Sequence, residues 1–429
     1  MDIYIVKQGD SINSIAESYG VAVERLARDN GLEEPYNLVI GQAIVIAFPK
    51  QSHTVQQGDT LQSIADTYGV TPVQILRNNP HISDREFLYP GEILVISYNT
   101  RRSITTNGYA YPYIRRETLL RTLPSLTYLS IFNYTATGSG EIITYQEDAE
   151  IIRTTKAYGV VPLLMLATMT PQGVYDTEAA YKILLNEEYQ DRNINEFLNI
   201  MKNKGYQGVN LVFYYLEEGN QSLYQRFVQK VASRLQAEGF LFFVTINYSV
   251  QRINNTASFE HVDYSELGAY LDGMIFLRFV WGTDYGPPAP VSDISDIRII
   301  IDYVISDVPA NKICIGKQLL GYDWQLPYTP GRSSAVSLTL RSVLELAYEV
   351  GAAIQFDEVS QTPYFYYNQS VLGDSYQHIV WFIDPRSLYA MNEFIIEYGL
   401  KGSGIWNIMI YHQQLWTVIN AEFDVVKLI

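Results

Sequence analysis

The chain has 429 residues, of which 47% are hydrophobic and 18% charged, a globular balance that excludes a largely disordered polypeptide and exceeds one ordinary domain. Its 30 basic and 46 acidic side chains give a net charge of −16, which excludes binding to nucleic acid or anionic lipid by general electrostatics. The single cysteine, Cys314, excludes an internal disulfide framework, and in a strand-like run it reads as a small buried hydrophobe.

The opening residues Met1-Asp2-Ile3-Tyr4-Ile5-Val6 carry no basic region, apolar stretch or cleavage site, so export by the general secretion route is not expected. No window reaches the roughly 18 apolar residues of a membrane span. The first hundred or so positions contain an internal repeat. Lys7-Gln8-Gly9-Asp10-Ser11-Ile12 matches Gln56-Gln57-Gly58-Asp59-Thr60-Leu61, Ile15-Ala16 matches Ile64-Ala65, and Tyr19-Gly20-Val21 matches Tyr68-Gly69-Val70. Asn30 falls on Asn79, and Leu38-Val39-Ile40-Gly41 falls on Leu88-Tyr89-Pro90-Gly91. In each copy a short strand ends at a Gly-Asp turn, and Asp10 or Ser11 is placed to cap a helix. That helix has apolar positions Ile12, Ile15, Ala16 and Tyr19, and Gly20 stops it. A second helix and a closing strand complete a βααβ module.

These residues resemble the LysM domain, twice over, at 1–49 and 52–98. The resemblance implies a groove that binds N-acetylglucosamine-containing glycans such as peptidoglycan or chitin-like oligomers. In the first copy it places that groove on Gly9, Asp10, Ser11, Ile12, Asn30, Leu38 and Ile40. In the second it falls on Gly58, Asp59, Thr60, Leu61, Asn79, Leu88 and Pro90. Two linked modules are expected to gain avidity on a polymer.

After a linker at 99–103, eight β-rich runs alternate with amphipathic helices. The runs are Asn107–Tyr113, Tyr128–Tyr134, Val161–Ala167, Gly208–Tyr214, Leu241–Tyr248, Gly273–Phe279, Lys312–Gln318 and Gly404–Tyr411. The helices are expected at Glu117–Thr122, Glu147–Tyr158, Ile194–Lys204, Leu223–Glu238, Ile294–Asp307 and Leu388–Tyr398. Their alternation predicts a (β/α)8 TIM barrel over 102–429, with an α+β insertion at about 321–385 between the seventh and eighth strands. The five histidines show no ligand spacing, and no Gly-rich phosphate loop appears, so neither a metal nor a cofactor is expected.

Barrel chemistry sits where strands end. The fourth strand reads Gly205-Tyr206-Gln207-Gly208-Val209-Asn210-Leu211-Val212-Phe213-Tyr214. It is similar to the Asp-Gly-x-Asp-x-Asp-x-Glu signature of glycoside hydrolase family 18. Leu319-Leu320-Gly321-Tyr322-Asp323-Trp324 and Gly404-Ile405-Trp406 support the likeness. With the two LysM copies in front, the chain resembles the spore cortex peptidoglycan N-acetylglucosaminidases of endospore formers. In that family a glutamic acid protonates the glycosidic oxygen, and an aspartate orients the substrate acetamide that attacks the anomeric carbon. Carried over, the proton donor falls on Tyr214, its aspartate partner on Val212, the outer aspartate on Gln207 and the remaining acidic position on Asn210. Valine cannot hydrogen-bond an acetamide, and a phenol is a weak acid for this leaving group. Glu217 and Glu218 read as solvated loop carboxylates and are the fallback acids of an active enzyme. Trp281 and Trp406 are expected to line the cleft, and Arg278 to bind ligand or to form a buried ion pair.

These substitutions favour a non-catalytic glycan-binding protein of the spore cortex, coat or wall. An active cortex-lytic N-acetylglucosaminidase with relocated acids and a structural scaffold for spore-layer proteins stand as alternatives.

Overall fold

The computed structural model describes the whole chain except residues 171, 172, 174, 175, 214–216, 249, 254, 255, 279–285, 372 and 373. Each repeat is a βααβ unit. Asp2–Ile5 pairs antiparallel with Ala43–Ile46 around helices Ile12–Tyr19 and Val23–Asn30. Pro49–Thr54 pairs likewise with Ile93–Tyr98 around helices Leu61–Tyr68 and Pro72–Asn78. Ser11 caps the first helix by accepting from the Ser14 N–H, and the Ser14 hydroxyl accepts from the Ser11 N–H. Thr60 and Ser63 repeat this reciprocal cap in the second copy. Gly20 and Gly69 end these helices at φ 64° and 65°, a left-handed conformation that a side chain would strain.

The eight barrel strands are β1 (Arg102–Ala110), β2 (Tyr128–Ala136), β3 (Val161–Ala167), β4 (Gly208–Phe213), β5 (Leu241–Ile246), β6 (Gly273–Phe276), β7 (Ile313–Gln318) and β8 (Gly402–Trp406). All are parallel, and β8 pairs with β1, which pairs with β2, so the sheet closes. Helices pack around the sheet, most of them burying one face. In Gln221–Glu238 that face is Tyr224, Phe227, Val228, Val231, Ala232 and Leu235. Burying such a side chain contributes about 1.5–3 kcal/mol, so this stripe alone fixes the helix on the barrel.

The helix predicted at Ile194–Lys204 begins earlier, at Glu187, because the Asn186 side chain accepts from the Glu188 and Tyr189 N–H groups. Helices at Thr177–Leu185, Ser265–Tyr270 and Gln413–Glu422 were not foreseen. After β7 the chain forms a five-stranded antiparallel sheet with the order 336–339, 320–326, 374–381, 362–371 and 355–357. Helix Leu340–Glu349 packs Val343 and Ala347 into a small core with Phe365, Val380 and Phe382. This is the inserted lobe between β7 and β8.

The repeats are fastened to the barrel. The buried Gln414 side chain donates to the Asn30 Oδ1 (3.0 Å) and the Ala43 carbonyl (2.9 Å). Thr417 donates to the Asp29 carbonyl at 2.7 Å, and Arg77 of the second repeat pairs with Asp424 at 2.6 Å. Among the described residues no helix is long and apolar enough to cross a membrane.

Candidate functional site

Alternation along β4 sends Asn210 and Val212 to the same side. Asn210 is fully buried, and its amide shows which side that is. Its Oδ1 accepts from the Thr245 hydroxyl on β5 (2.9 Å), and its Nδ2 donates to the Ser130 hydroxyl on β2 (2.9 Å). Nδ2 also reaches the Tyr109 hydroxyl on β1, at 3.5 Å. These partners come from three other strands, so with β4 the network joins four strands across the barrel interior. Because Thr245 donates to Asn210, the short Tyr109–Thr245 contact (2.6 Å) must run from the phenol to the Thr245 oxygen. The Ser130 hydroxyl donates in turn to Asn107 Oδ1 at 2.9 Å. Burial raises the Tyr109 phenol far above its ordinary range, which keeps it a donor. Every member of this network is uncharged, and no carboxylate is among its hydrogen-bond partners among the described residues.

Val212 is 7% exposed and lies beside Thr245 in the β4–β5 register. It offers methyl groups at the position where the family pattern has an aspartate. Gln207 precedes the strand, half-buried, with its N–H bonded to the Pro162 carbonyl and with no partner for its Oε1 among the described residues. Tyr214 and Trp281 lie outside the described residues.

Glu217 and Glu218 are exposed in the turn that leads into helix Gln221–Glu238, where the Asn220 side chain accepts from the Glu217 N–H. Neither shares a hydrogen bond with the interior network. A buried carboxylate that the sequence reading passed over is Asp148. Burial pushes its pKa up, but hydrogen bonds from Lys204 (2.7 Å), Tyr134 and Tyr206 (2.6 Å) outweigh burial and hold it below the usual carboxylate range. It is therefore an anion at neutral pH and no proton donor. The signal that could have found it is the Glu147-Asp148 pair at a helix start, which by itself points only to a cap.

Trp406 ends β8 with its ring 5.3 Å from that of Tyr109. At 4% exposure it is covered by protein and forms part of the interior wall at the end of β8. Trp416 packs in the barrel core. Arg278, half-buried, lines a shallow crevice with Tyr248, Asp293, Asp296 and Gln318.

On the repeats, the Gly-Asp loops are solvent-accessible at Gly9, Ser11, Gly58 and Thr60. Asp10 and Asp59 fold these loops. Asp10 Oδ2 accepts from the Lys7 N–H and the Tyr4 hydroxyl, both at 2.7 Å, which lowers its pKa below the ordinary carboxylate value. Asp59 accepts from the Gln56 N–H and from His53. Leu38, Leu61 and Leu88 are half-buried, packed against the repeat cores, while Ile40 and Pro90 are exposed.

Three expectations are corrected. Ile12 is core, packed with Ile15 and Leu26. Asn30 and Asn79 are buried, and each fastens a helix to the last strand of its repeat. Asn30 bonds the Leu26 and Val45 carbonyls and the Val45 N–H; Asn79 bonds the Ile75 and Val95 carbonyls and the Val95 N–H. Both protons of each amide are taken by backbone carbonyls in a buried site, so neither side chain faces a glycan.

The fold and this strand define a class: a tandem-LysM protein with a chitinase-like barrel. Comparison agrees, since the model of glycosyl hydrolases family 18 matches residues 170–409 and the LysM model matches 4–47 and 53–97. The chain belongs to glycosyl hydrolases family 18 and carries two LysM domains. It is 32% identical over 434 residues to the cortical fragment-lytic enzyme of Bacillus subtilis (strain 168), covering 100% of this chain and 99% of that one. The crystal structure of the Bacillus megaterium QM B1551 spore cortex-lytic enzyme SleL superposes with a TM-score of 0.79 at 30% identity, covering 100% and 99% of the two chains. The Bacillus cereus SleL structure superposes with a TM-score of 0.78 at 28% identity, covering 99% of each.

Proposed function

We propose that this chain recognises N-acetylglucosamine-containing glycan of the spore cortex or wall, and that its barrel holds glycan without cleaving it. The observation that carries this reading is the uncharged network inside the barrel, with Val212 on β4 at the position where family chemistry calls for the aspartate that orients the acetamide. Without an acidic side chain beside the anomeric carbon, nothing orients the acetamide as nucleophile. Association with the spore fits the names of the whole-length relatives.

Those names favour a second reading, in which the chain is a glycosidase acting on cortex fragments. It requires the acid to come from elsewhere, with Glu217 or Glu218 the nearest in sequence to the lost position. Likeness of fold does not carry chemistry by itself, so the first reading takes precedence on the side chains. Release of muropeptides from purified spore cortex separates the two. The native chain is expected to sediment with cortex and release nothing, and the Val212→Asp/Tyr214→Glu double variant to gain hydrolysis. Release by the native chain that Glu217→Gln abolishes would establish the second reading.

A further inference from the structure

The two repeats carry the same loop in front of their last strand, but the rest of the molecule treats the two loops differently. In the first repeat Val39 is 3% exposed and belongs to the core of the inserted lobe, with Val343, Phe365 and Val380. The Ile40 carbonyl accepts from the Ile354 N–H at 2.8 Å, and Arg386 donates to the Gly41 carbonyl at 3.3 Å. A Cβ on Gly41 would lie 2.0 Å from the Ile354 carbonyl oxygen. In the second repeat the matching residues face solvent. Tyr89, the counterpart of Val39, is 63% exposed, its neighbour Phe87 is 74% exposed, and a Cβ on Gly91 would meet nothing within 4 Å.

We propose that the repeats have divided their work: the first is a clamp whose loop seats the inserted lobe, and the second alone holds glycan. This rests on the glycan reading above and assigns it to one module. Backbone groups already bonded to Ile354 and Arg386 cannot be offered to acetamido groups without first breaking those bonds in a desolvated contact. The open loop of the second repeat carries two exposed aromatic rings, Phe87 and Tyr89, and Arg85 lies over the Tyr89 ring at 5.5 Å. An aromatic face of this kind suits the C–H surface of a neutral N-acetylhexosamine ring and needs no charge from the ligand. The chain therefore binds through its repeats with one site, and the avidity expected of a pair is absent.

Hydrogen exchange of the intact chain, with and without an N-acetylglucosamine tetramer, tests the assignment alongside sedimentation with purified peptidoglycan. Exchange is expected to slow in 56–61 and 86–92 and to stay unchanged in 7–12 and 37–42. Tyr89→Asp is expected to weaken sedimentation about tenfold or more while melting like the native chain. Should its melting fall, Phe87→Ala replaces it, with the same expected loss. Slowed exchange in the loops of the first repeat, or native sedimentation by the variant that melts normally, overturns the division of work while leaving the glycan reading standing. A native chain that neither sediments nor slows anywhere overturns that reading, and this inference with it.

Discussion

Gly41 and Gly91 make a paired experiment written into the chain. Both adopt positive φ, +84° and +90°, so alanine introduces similar backbone strain at either position, about 1 kcal/mol. Only at Gly41 does the new methyl group also meet a wall, the Ile354 carbonyl. Gly91→Ala is expected to lower stability by about 1 kcal/mol, and Gly41→Ala by at least about 2 kcal/mol more, as overpacking in a rigid contact does. Urea unfolding of the two variants reads the difference directly. Equal losses would mean that the first loop is not seated on the inserted lobe. The same residue scale explains why Asn30 and Asn79 misled the sequence reading. An Asn at a repeated position is compatible with a ligand or with a structural role, and only the location of the Val45 and Val95 amides decides between them.

At the scale of elements, β7 carries a lysine that a buried strand does not ordinarily tolerate. Lys317 is fully buried, and its ammonium donates to the Ser403 hydroxyl on β8 at 2.6 Å. Burial pulls it down to about 7; burial, reinforced by Arg77, does the same to Lys427, which donates to the Leu123 and Leu126 carbonyls. With folded-state values depressed below the ordinary lysine range, the unfolded chain binds more protons between about pH 7 and about pH 10, so stability rises with pH across that window. Lys317→Met is expected to stabilise the chain at about pH 7 by about 1–3 kcal/mol and to flatten the rise. Denaturant titrations at about pH 7 and about pH 9.5 check this, and an unchanged slope in the variant would remove Lys317 from the account. Elements were legible where local pattern decides them. The Ile15-Ala16 and Ile64-Ala65 helices with their Gly stops and the apolar run of β4 needed nothing distant. Helix Gln413–Glu422 was not legible, because it is buried on nearly every face and so shows no amphipathic period. The family motif on β4 was visible as a sequence, whereas the neutral network around Asn210 was not, since its members lie on four strands far apart in the chain.

At the scale of the molecule, that unforeseen helix joins the repeats to the barrel. Gln414 and Asn30 are 384 positions apart, and their contact makes the first repeat part of the same packed body as β8. A repeat bound this way is expected to unfold with the barrel in one transition. Gln414→Glu tests the coupling through charge. Its carboxylate would face the Asn30 Oδ1 and the Ala43 carbonyl, acceptors that now receive both amide protons. With no donor left, and an uncompensated charge in a site that is 3% exposed, the interface should open. Calorimetry of the variant at about pH 7.5 is expected to show a separate transition for the first repeat, below that of the barrel. Lowering the pH to about 4 protonates the new carboxyl, restores one donor and should draw the two transitions back together. A single transition at both pH values would mean that Val39 in the inserted lobe, rather than Gln414, holds the repeat in place.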